Sequence, residues 1–263
     1  MTLSASQPAA RPPPGTLYLV PAPLDFGCAQ ECNLAHSIPA GTLETAARIS
    51  HWVCENAKST RAYLKRIHAL YPLCQPLQSL HLQELPREIH KKGDHGTGFD
   101  AHPLLQAALA GHHMALVSEA GMPAVADPGS SVVRAAHDLG LAVEPLVGPV
   151  SLLLALAASG LNGQNFAFVG YLPVTTPERA QRLKELEILA LKTGQTQIFI
   201  ETPYRNNAML QTLLQTLQAN TRLATASGIT LPSARFHSAL VKNWKPKPWS
   251  LDNGTPAVFA IGR

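Results

Sequence analysis

The sequence predicts an α/β protein with two domains, each built on a mainly parallel sheet. Short apolar runs bounded by glycine or proline alternate with stretches whose apolar residues have helical spacing. The length of 263 residues allows two domains of ordinary size, and Gly148-Pro149 interrupts the pattern near the middle. We therefore expect a disordered lead-in at 1–14, which contains four prolines, an N-terminal domain at 15–147 and a C-terminal domain at 150–263.

In the first half, each predicted strand is a short apolar run, and each predicted helix places apolar residues three and four positions apart. The strands are Thr16–Val20, Met114–Ser118 and Ala142–Leu146. The helices are Ser59–Leu70, Pro103–Ala110 and Gly129–Leu139. Gly111 and Gly140 follow two of these helices, at the position where glycine commonly ends a helix.

The second half continues the alternation. Its predicted strands are Asn165–Val169, Gln197–Glu201, Arg222–Ala226 and Ala257–Ile261. One helix begins at Thr175–Glu178 with proline in its first turn, and another places Leu210, Leu213, Leu214 and Leu217 on one face. The helix Val150–Ser159 is almost entirely apolar, so we expect it to be covered on all sides, either within the chain or by a second copy.

Composition excludes several classes of protein. The longest apolar run has seven residues, whereas a bilayer span needs about 18 or more, so we expect no membrane segment. The net charge of +4 permits an anionic substrate but is too small for a structural nucleic-acid binder. The four cysteines lack metal-ligand spacing, so we expect reduced thiols, a cytoplasmic location and no metal site.

The most informative segment is Leu116–Gly129, where a predicted strand leads into a loop rich in small residues. Gly121, Pro123, Pro128 and Gly129 fall within nine residues. Because ligands of open α/β sheets bind beyond the carboxyl ends of strands, such a loop favours a binding site with exposed backbone N–H groups. The alternative is an ordinary connection rich in turns.

Several segments resemble the tetrapyrrole methylase superfamily, and most closely its branch that methylates a ribose 2′-hydroxyl of 16S ribosomal RNA. Ser118–Gly129 resembles the superfamily motif S-D-A-G-x-P-x-I-S-D-P-G. Other matching segments, in chain order, are Thr16–Pro23, Glu55–Arg61, Pro145–Ser151, Ala158–Leu161, Phe168–Pro173 and Glu201–Arg205. They resemble the first strand with its proline loop, E-D-T-R-x-T-R, P-L-P-G-P-S/C-A, A-S-G-L, F-E-G-F-L-P and E-S-P-H-R.

The resemblance implies two α/β domains that hold S-adenosyl-L-methionine in the cleft between them, mainly through backbone groups. Family members are usually homodimers, and we expect the same here. The residues implied in cofactor binding are Pro21, Glu119, Ala120, Gly121, Met122, Ser151, Leu152, Ile200, Glu201 and Gly228. Ser151 is equally suited to donate its hydroxyl to the donor and to cap the helix that it begins. Asp127 could bond a ribose hydroxyl, but a cap of the helix that begins near Gly129 is the preferred interpretation.

For the substrate, the resemblance implies ribosomal RNA or the small ribosomal subunit as partner. Glu55 and Arg61 are the implied catalytic residues, although Glu55 is equally suited to the solvent-facing start of a helix. Lys58, Arg61, Lys65 and Arg205 are the implied substrate-binding residues. The alternative for these cations is an exposed basic helix face.

Four stretches depart from the family pattern. Leu24–Gly41 has no good counterpart, Asn56 and Lys58 replace an acid and an arginine, and Glu119 replaces aspartate. The late segment Ala226–Ala234 lacks the acid and the base of its counterpart. Two alternatives therefore stay open: a methyltransferase of a tetrapyrrole or another small molecule, and a non-catalytic paralogue that binds S-adenosylmethionine.

Overall fold

The structure is a computed structural model that describes residues 12–92, 94–96, 98–244 and 250–263. Most of the predicted lead-in lies outside these residues. The chain forms two compact units: the first contains the residues up to Ala22 together with Ile38–Gly148, and the second contains Pro23–Ser37 and Pro149–Arg263. The segment Pro23–Ser37 thus belongs to the second unit, although the division made from the sequence placed it in the N-terminal domain.

The strands and helices alternate along much of the chain. The strands are β1 (Thr16–Leu19), β2 (His51–Cys54), β3 (His81–Glu84), β4 (Met114–Val117), β5 (Ala142–Pro145), β6 (Phe166–Tyr171), β7 (Thr196–Glu201), β8 (Arg222–Ser227), β9 (Arg235–Leu240) and β10 (Ala257–Gly262). The helices are α1 (Leu34–Ser37), α2 (Ala40–Ala47), α3 (Ala57–His68), α4 (Arg87–Lys92), α5 (Gln106–Leu109), α6 (Ser130–Asp138), α7 (Ser151–Ser159), α8 (Thr176–Thr193), α9 (Asn206–Thr216) and α10 (Val241–Trp244).

The first unit contains a five-stranded parallel sheet in the order β3-β2-β4-β1-β5. Its central strand β4 is buried along its whole length, and Leu17 and Leu116 are among the fully buried side chains. Because all five strands run the same way, their carboxyl ends lie at one edge of the sheet. That edge carries the Ser118–Gly129 loop, so the predicted α/β fold with a parallel sheet is confirmed.

The second unit contains a mixed sheet in the order β6-β7-β10-β8-β9. Only β6 and β7 pair in parallel, and the other three pairs are antiparallel, which differs from the expected mainly parallel sheet. The reason is connectivity: β8 and β9 are joined by seven residues, too few for the crossover that parallel neighbours need. Phe199 and Phe259 stack in its core with ring centroids 5.8 Å apart.

Three strands have no counterpart among the sequence predictions: β2, β3 and β9. The four-residue strands β2 and β3 each begin with histidine, and β3 is an edge strand whose residues are largely exposed. The other edge strand, β9, has no fully buried position. The edge strands β3 and β9 form because a neighbour supplies hydrogen bonds, and their own sequences carry little apolar signal, whereas β2 is a short apolar run that the sequence analysis missed. In the described part of the chain, no helix combines the length and apolar character needed to cross a membrane.

Candidate functional site

Loops that follow neighbouring strands of the parallel sheet are tied together at its carboxyl edge. The N–H of Ala22, after β1, donates to the carbonyl of Gly121 at 2.8 Å, and the N–H of Gly121 donates back at 3.0 Å. The hydroxyl of Tyr63 on α3 donates to the carbonyl of Pro21 at 2.8 Å. Pro21 and Gly121, both predicted from the sequence, therefore lie in one rigid arrangement.

The loop after β4 has an unusual backbone. Gly121 has φ = 71°, and two residues with side chains, Ala124 and Ala126, have φ of 64° and 66°. A non-glycine residue with positive φ costs free energy, and such residues cluster at functional sites. The loop is thus held in a specific shape by its surroundings, which is the property that a backbone-lined binding site requires.

Two glutamates connect this loop to the end of β2. Glu55 Oε2 accepts a hydrogen bond from the N–H of Glu119 at 3.2 Å, and Glu119 Oε1 accepts one from Ser59 Oγ at 3.2 Å. Glu119, which stands where the family motif has aspartate, therefore keeps a defined position. The structure brings these two predicted residues together, and their chemical roles stay predictions.

Asp127 does not cap α6, so the preferred interpretation of this residue from the sequence is wrong. The cap comes from Asp94, whose carboxylate accepts the N–H groups of Gly129 and Ser131 at 2.7 and 2.9 Å and the hydroxyls of Ser130 and Ser131. Burial opposes the charge of Asp94, but the hydrogen bonds from Ser131, Ser130 and Gly129 hold its pKa below the usual value. Asp94 lies 35 positions before Gly129, too far for a capping pattern in the sequence to reveal.

Asp127 instead joins the carboxylates at the sheet edge. Burial, followed by the charges of Glu55 and Glu119, raises its pKa from 3.8 to about 7. A carboxyl group that titrates near neutral pH is able to exchange a proton under physiological conditions. This property depends on Glu55, which follows β2, as well as on two residues of the loop, so the loop motif alone did not reveal it.

Ser118 provides a second polar feature at the end of β4. The residue is 5% exposed, and its Oγ has no hydrogen-bond partner within the described residues. Buried hydroxyl groups are normally paired, so an orphaned one at a strand end is suited to a ligand. Ser118 was not among the predicted site residues, although it is the first residue of the motif.

The helix α3 carries the predicted substrate-binding cations. Its N-cap is Asn56, whose side chain accepts the N–H groups of Lys58 and Ser59. Asparagine caps a helix as well as aspartate does, so the departure from the family motif at Asn56 preserves the local structure. Lys58, Arg61 and Lys65 are all exposed. Their exposure agrees with a substrate-binding face and equally with a helix face that contacts only solvent.

In the second unit, three predicted cofactor residues lie in or next to one apolar cluster. Leu152 on α7 and Ile200 on β7 pack in the same apolar cluster as Ile229, which follows Gly228. Gly228 has φ = 60°, and its N–H donates to the carbonyl of Pro256 at 3.1 Å. Ser151 is the first residue of α7, and the helix has no side-chain cap, so the capping alternative for Ser151 is not observed.

Glu201 and Arg205 form an ion pair within the second unit. Arg205 Nη2 lies 3.3 Å from Glu201 Oε2, and the Glu201 side chain is 3% exposed. Glu201 Oε1 also accepts the N–H of Thr202 at 2.8 Å. The Glu201 carboxylate is therefore occupied by its own neighbours, and Arg205 is partly neutralised before any substrate arrives.

Within the described residues, no group of three or more His, Cys, Asp or Glu side chains is arranged to hold a metal ion. All four cysteines are free thiols. The polar groups found at the carboxyl edge of the parallel sheet are backbone groups, the Ser118 hydroxyl and the carboxyl groups of Glu55, Glu119 and Asp127.

A five-stranded parallel sheet with this strand-end loop, followed by a mixed sheet, places the chain in the class of α/β proteins with two units. Residues 41–243 match the model of the family described as Tetrapyrrole (Corrin/Porphyrin) Methylases. Since this match covers more than half of the chain, the chain belongs to that family. The resemblance identified from the motifs is confirmed.

Two curated relatives carry the name Ribosomal RNA small subunit methyltransferase I. The protein of Mesorhizobium japonicum is 35% identical over 84% of this chain and 66% of its own length. The protein of Bacillus subtilis is 31% identical over 77% of this chain and 60% of its own length. The chain thus spans somewhat less than two thirds of the length of these relatives.

The chain is also similar in fold to a solved structure, the methyltransferase CobJ. The TM-score is 0.56 at 16% sequence identity, and the match covers 95% of this chain and 94% of that one. At this identity the comparison supports the fold alone.

Proposed function

We propose that the chain is an S-adenosyl-L-methionine-dependent methyltransferase that modifies a ribose 2′-oxygen of ribosomal RNA in the small subunit. Two observations support the reaction class: membership of a methylase family and the names of relatives at 35% and 31% identity. The structural observation that carries the proposal is the strained loop of Gly121 at the carboxyl edge of the parallel sheet, tied to the loop after β1. The small-molecule and non-catalytic alternatives are outcomes of the experiment below.

The residues at this edge fit the polar groups of the methyl donor. The backbone of Ala120, Gly121 and Met122, together with the unpaired Oγ of Ser118, offers hydrogen-bonding groups without bulky side chains. S-adenosylmethionine supplies a methyl group on a positively charged sulfur. The protein has to align that methyl group with the attacking oxygen, and such alignment contributes about 7–11 kcal/mol in favourable cases.

We assign the general base to Asp127. As the bond between the ribose 2′-oxygen and the methyl carbon forms and the carbon–sulfur bond breaks, the hydroxyl proton passes to the Asp127 carboxylate. A base works best when its pKa is close to the operating pH, and the pKa of Asp127 is raised to about 7. Glu55 accepts the N–H of Glu119, so its proposed role is to position the loop.

The exposed cations Lys58, Arg61 and Lys65 on and beside α3 are proposed to contact RNA phosphates. The proposed ribosomal RNA substrate also supports a cytoplasmic location, which is part of this proposal. We also propose a homodimer formed through α7. Leu153 and Leu154 on this helix are 49% and 41% exposed, which supports the expected cover by a second copy over cover within the chain.

The test uses S-adenosylmethionine labelled in its methyl group. The protein is incubated with small ribosomal subunits, naked 16S RNA and a porphyrinoid in parallel. We expect label in the RNA, at a ribose, and none in the porphyrinoid. Label in the porphyrinoid would favour the small-molecule alternative, and binding of the donor without any transfer would favour the non-catalytic one.

Gly121→Val tests the position of the donor. A β-branched residue disfavours positive φ and narrows the loop, so the variant should lose the thermal stabilisation that the donor gives the wild type. Gly140→Val is the matched control, since Gly140 has φ = 69° and open space around it in the same unit. The control should melt at a lower temperature than the wild type but keep its response to the donor. An equal response in both variants would refute this position.

A further inference from the structure

The carboxyl ends of β6 and β7, the parallel pair of the second unit, carry an exposed surface, in which only Arg205 was among the predicted substrate-binding residues. Val174 follows β6 and is 69% exposed, and Tyr204 follows β7 and is 70% exposed. The register pairs Tyr171 with Ile200, so both strands end at the same edge. We call Val174, Tyr204 and Arg205 the β6/β7 patch. Large side chains exposed to this degree at a strand-end edge are typical of binding surfaces.

Two guanidinium groups converge beneath the patch on a single carbonyl oxygen. Arg179 Nη2 donates to the carbonyl of Val174 at 2.8 Å, and Arg205 Nη2 donates to the same oxygen at 3.4 Å. Glu201 pairs with Arg205 at 3.3 Å, whereas among the described residues Arg179 forms no hydrogen bond to a carboxylate. Of the two positive charges, only one is therefore neutralised within the described part of the unit.

Arg179 is the cation without compensation. Its side chain belongs to the first turn of α8, the residue is 5% exposed, and its Nε and Nη1 atoms have no hydrogen-bond partner in the described chain. A buried charge is normally paired, because leaving it unpaired strongly destabilises the folded state. A cation held in this way attracts an anion to the surface above it.

The two features, an exposed phenol ring and an excess positive charge, are complementary to a nucleotide. We propose that the β6/β7 patch binds an unpaired nucleotide of the RNA substrate, with its base stacked on Tyr204 and its phosphate drawn to Arg205 and Arg179. Aromatic rings stack on bases of any sequence, and guanidinium groups bind phosphate oxygens through charge-assisted hydrogen bonds. This inference rests on the proposed function, since it takes RNA as the substrate.

The experiment measures the affinity of the full chain, with donor present, for a fluorescein-labelled single-stranded RNA of twelve nucleotides. Tyr204→Ala is expected to weaken binding by about 5- to 100-fold at every RNA sequence. Arg205→Gln is expected to weaken binding and to flatten the log–log salt slope by about 0.7. Both side chains are at least partly exposed, and the melting temperature of each variant verifies that it folds.

Two matched controls belong to the same unit. Phe236→Ala removes a ring that is 46% exposed on β9, and Arg182→Gln removes an exposed guanidinium that pairs with Glu185 at 3.2 Å on α8. Both should bind RNA within about twofold of the wild type. Losses in the controls equal to those in the patch variants would overturn the inference, because they would indicate a diffuse charge effect.

The failure of this inference is distinguishable from the failure of the proposed function. If the wild type methylates small-subunit RNA but Tyr204→Ala binds RNA and turns over normally, the patch is not a nucleotide site and the function stands. If the wild type binds neither RNA nor small ribosomal subunits, both are overturned. A phosphate-rich polymer without bases separates the two roles. If Arg205→Gln loses binding to this polymer and Tyr204→Ala does not, the result supports phosphate binding by Arg205 and base stacking on Tyr204.

Discussion

Replacing Asp127 with asparagine should stabilise the protein at neutral and higher pH. The carboxyl group has a pKa of about 7 in the folded chain and 3.8 as its ordinary value, so folding favours its protonated form. Raising the pH from 3.8 towards 7 ionises the unfolded state first, and the folded state then becomes progressively less stable. Asparagine has nearly the same shape as aspartate but cannot ionise, so the stability of the variant should not decrease in this pH range for this reason.

The magnitude follows from the interval between the two pKa values. Each pH unit between them corresponds to about 1.36 kcal/mol, which gives an upper limit of about 4 kcal/mol in total and about 2.7 kcal/mol between pH 5 and pH 7. Asp127 is only partly buried, so solvent reduces these values. We expect the stability advantage of Asp127→Asn to grow by about 1–2 kcal/mol from pH 5 to pH 8.

The assay is urea unfolding of both proteins at pH 5, 6, 7 and 8, with Glu144→Gln as a control because Glu144 is an exposed carboxylate of the same unit. The control should show no gain that depends on pH. A variant less stable than the wild type at pH 8, or a difference independent of pH, would refute the reasoning. If Asp127 is also the base, the more stable variant should have lost methyl transfer, a trade expected at active sites.

Two further predictions concern other parts of the molecule. His51 stacks between His81 and His112, at centroid distances of 4.6 and 4.8 Å, and burial followed by these two neighbours lowers its pKa. Because the unfolded state therefore binds the proton more readily, the free energy of unfolding should decrease as the pH falls below about 6.5. In urea unfolding, His51→Gln should be less sensitive to acid than the wild type. An unchanged pH profile of stability would contradict the stacking argument. Light scattering of the proposed dimer should give a molar mass of about twice 28.1 kDa. Leu154→Lys on α7 should shift the equilibrium towards the monomer. A wild type with only the monomer mass at micromolar concentration would exclude the dimer.

The sequence by itself determined the class of fold and the location of the first candidate site. The buried strand β4 and the loop that follows it have local signals: an apolar run, then glycine and proline at positions that need special backbone angles. The motif around Gly121 adds the family. The N-cap role of Asn56 was not predicted, because the helix was expected to begin only at Ser59.

The tertiary structure alone decided which side chains interact across long distances in the chain. Asp94 caps α6 from 35 positions away. Asp127 therefore does not cap this helix, although its position just before the helix suggested that it would. Glu55 and Glu119 then raise the pKa of Asp127, since burial and like charges act through space and leave no pattern along the sequence. Likewise, β9 is a strand because β8 offers it hydrogen bonds, and Arg179 is uncompensated because Glu201 pairs with Arg205 instead. Pairing, burial and charge balance are properties of neighbours in space, and only the folded chain specifies those neighbours.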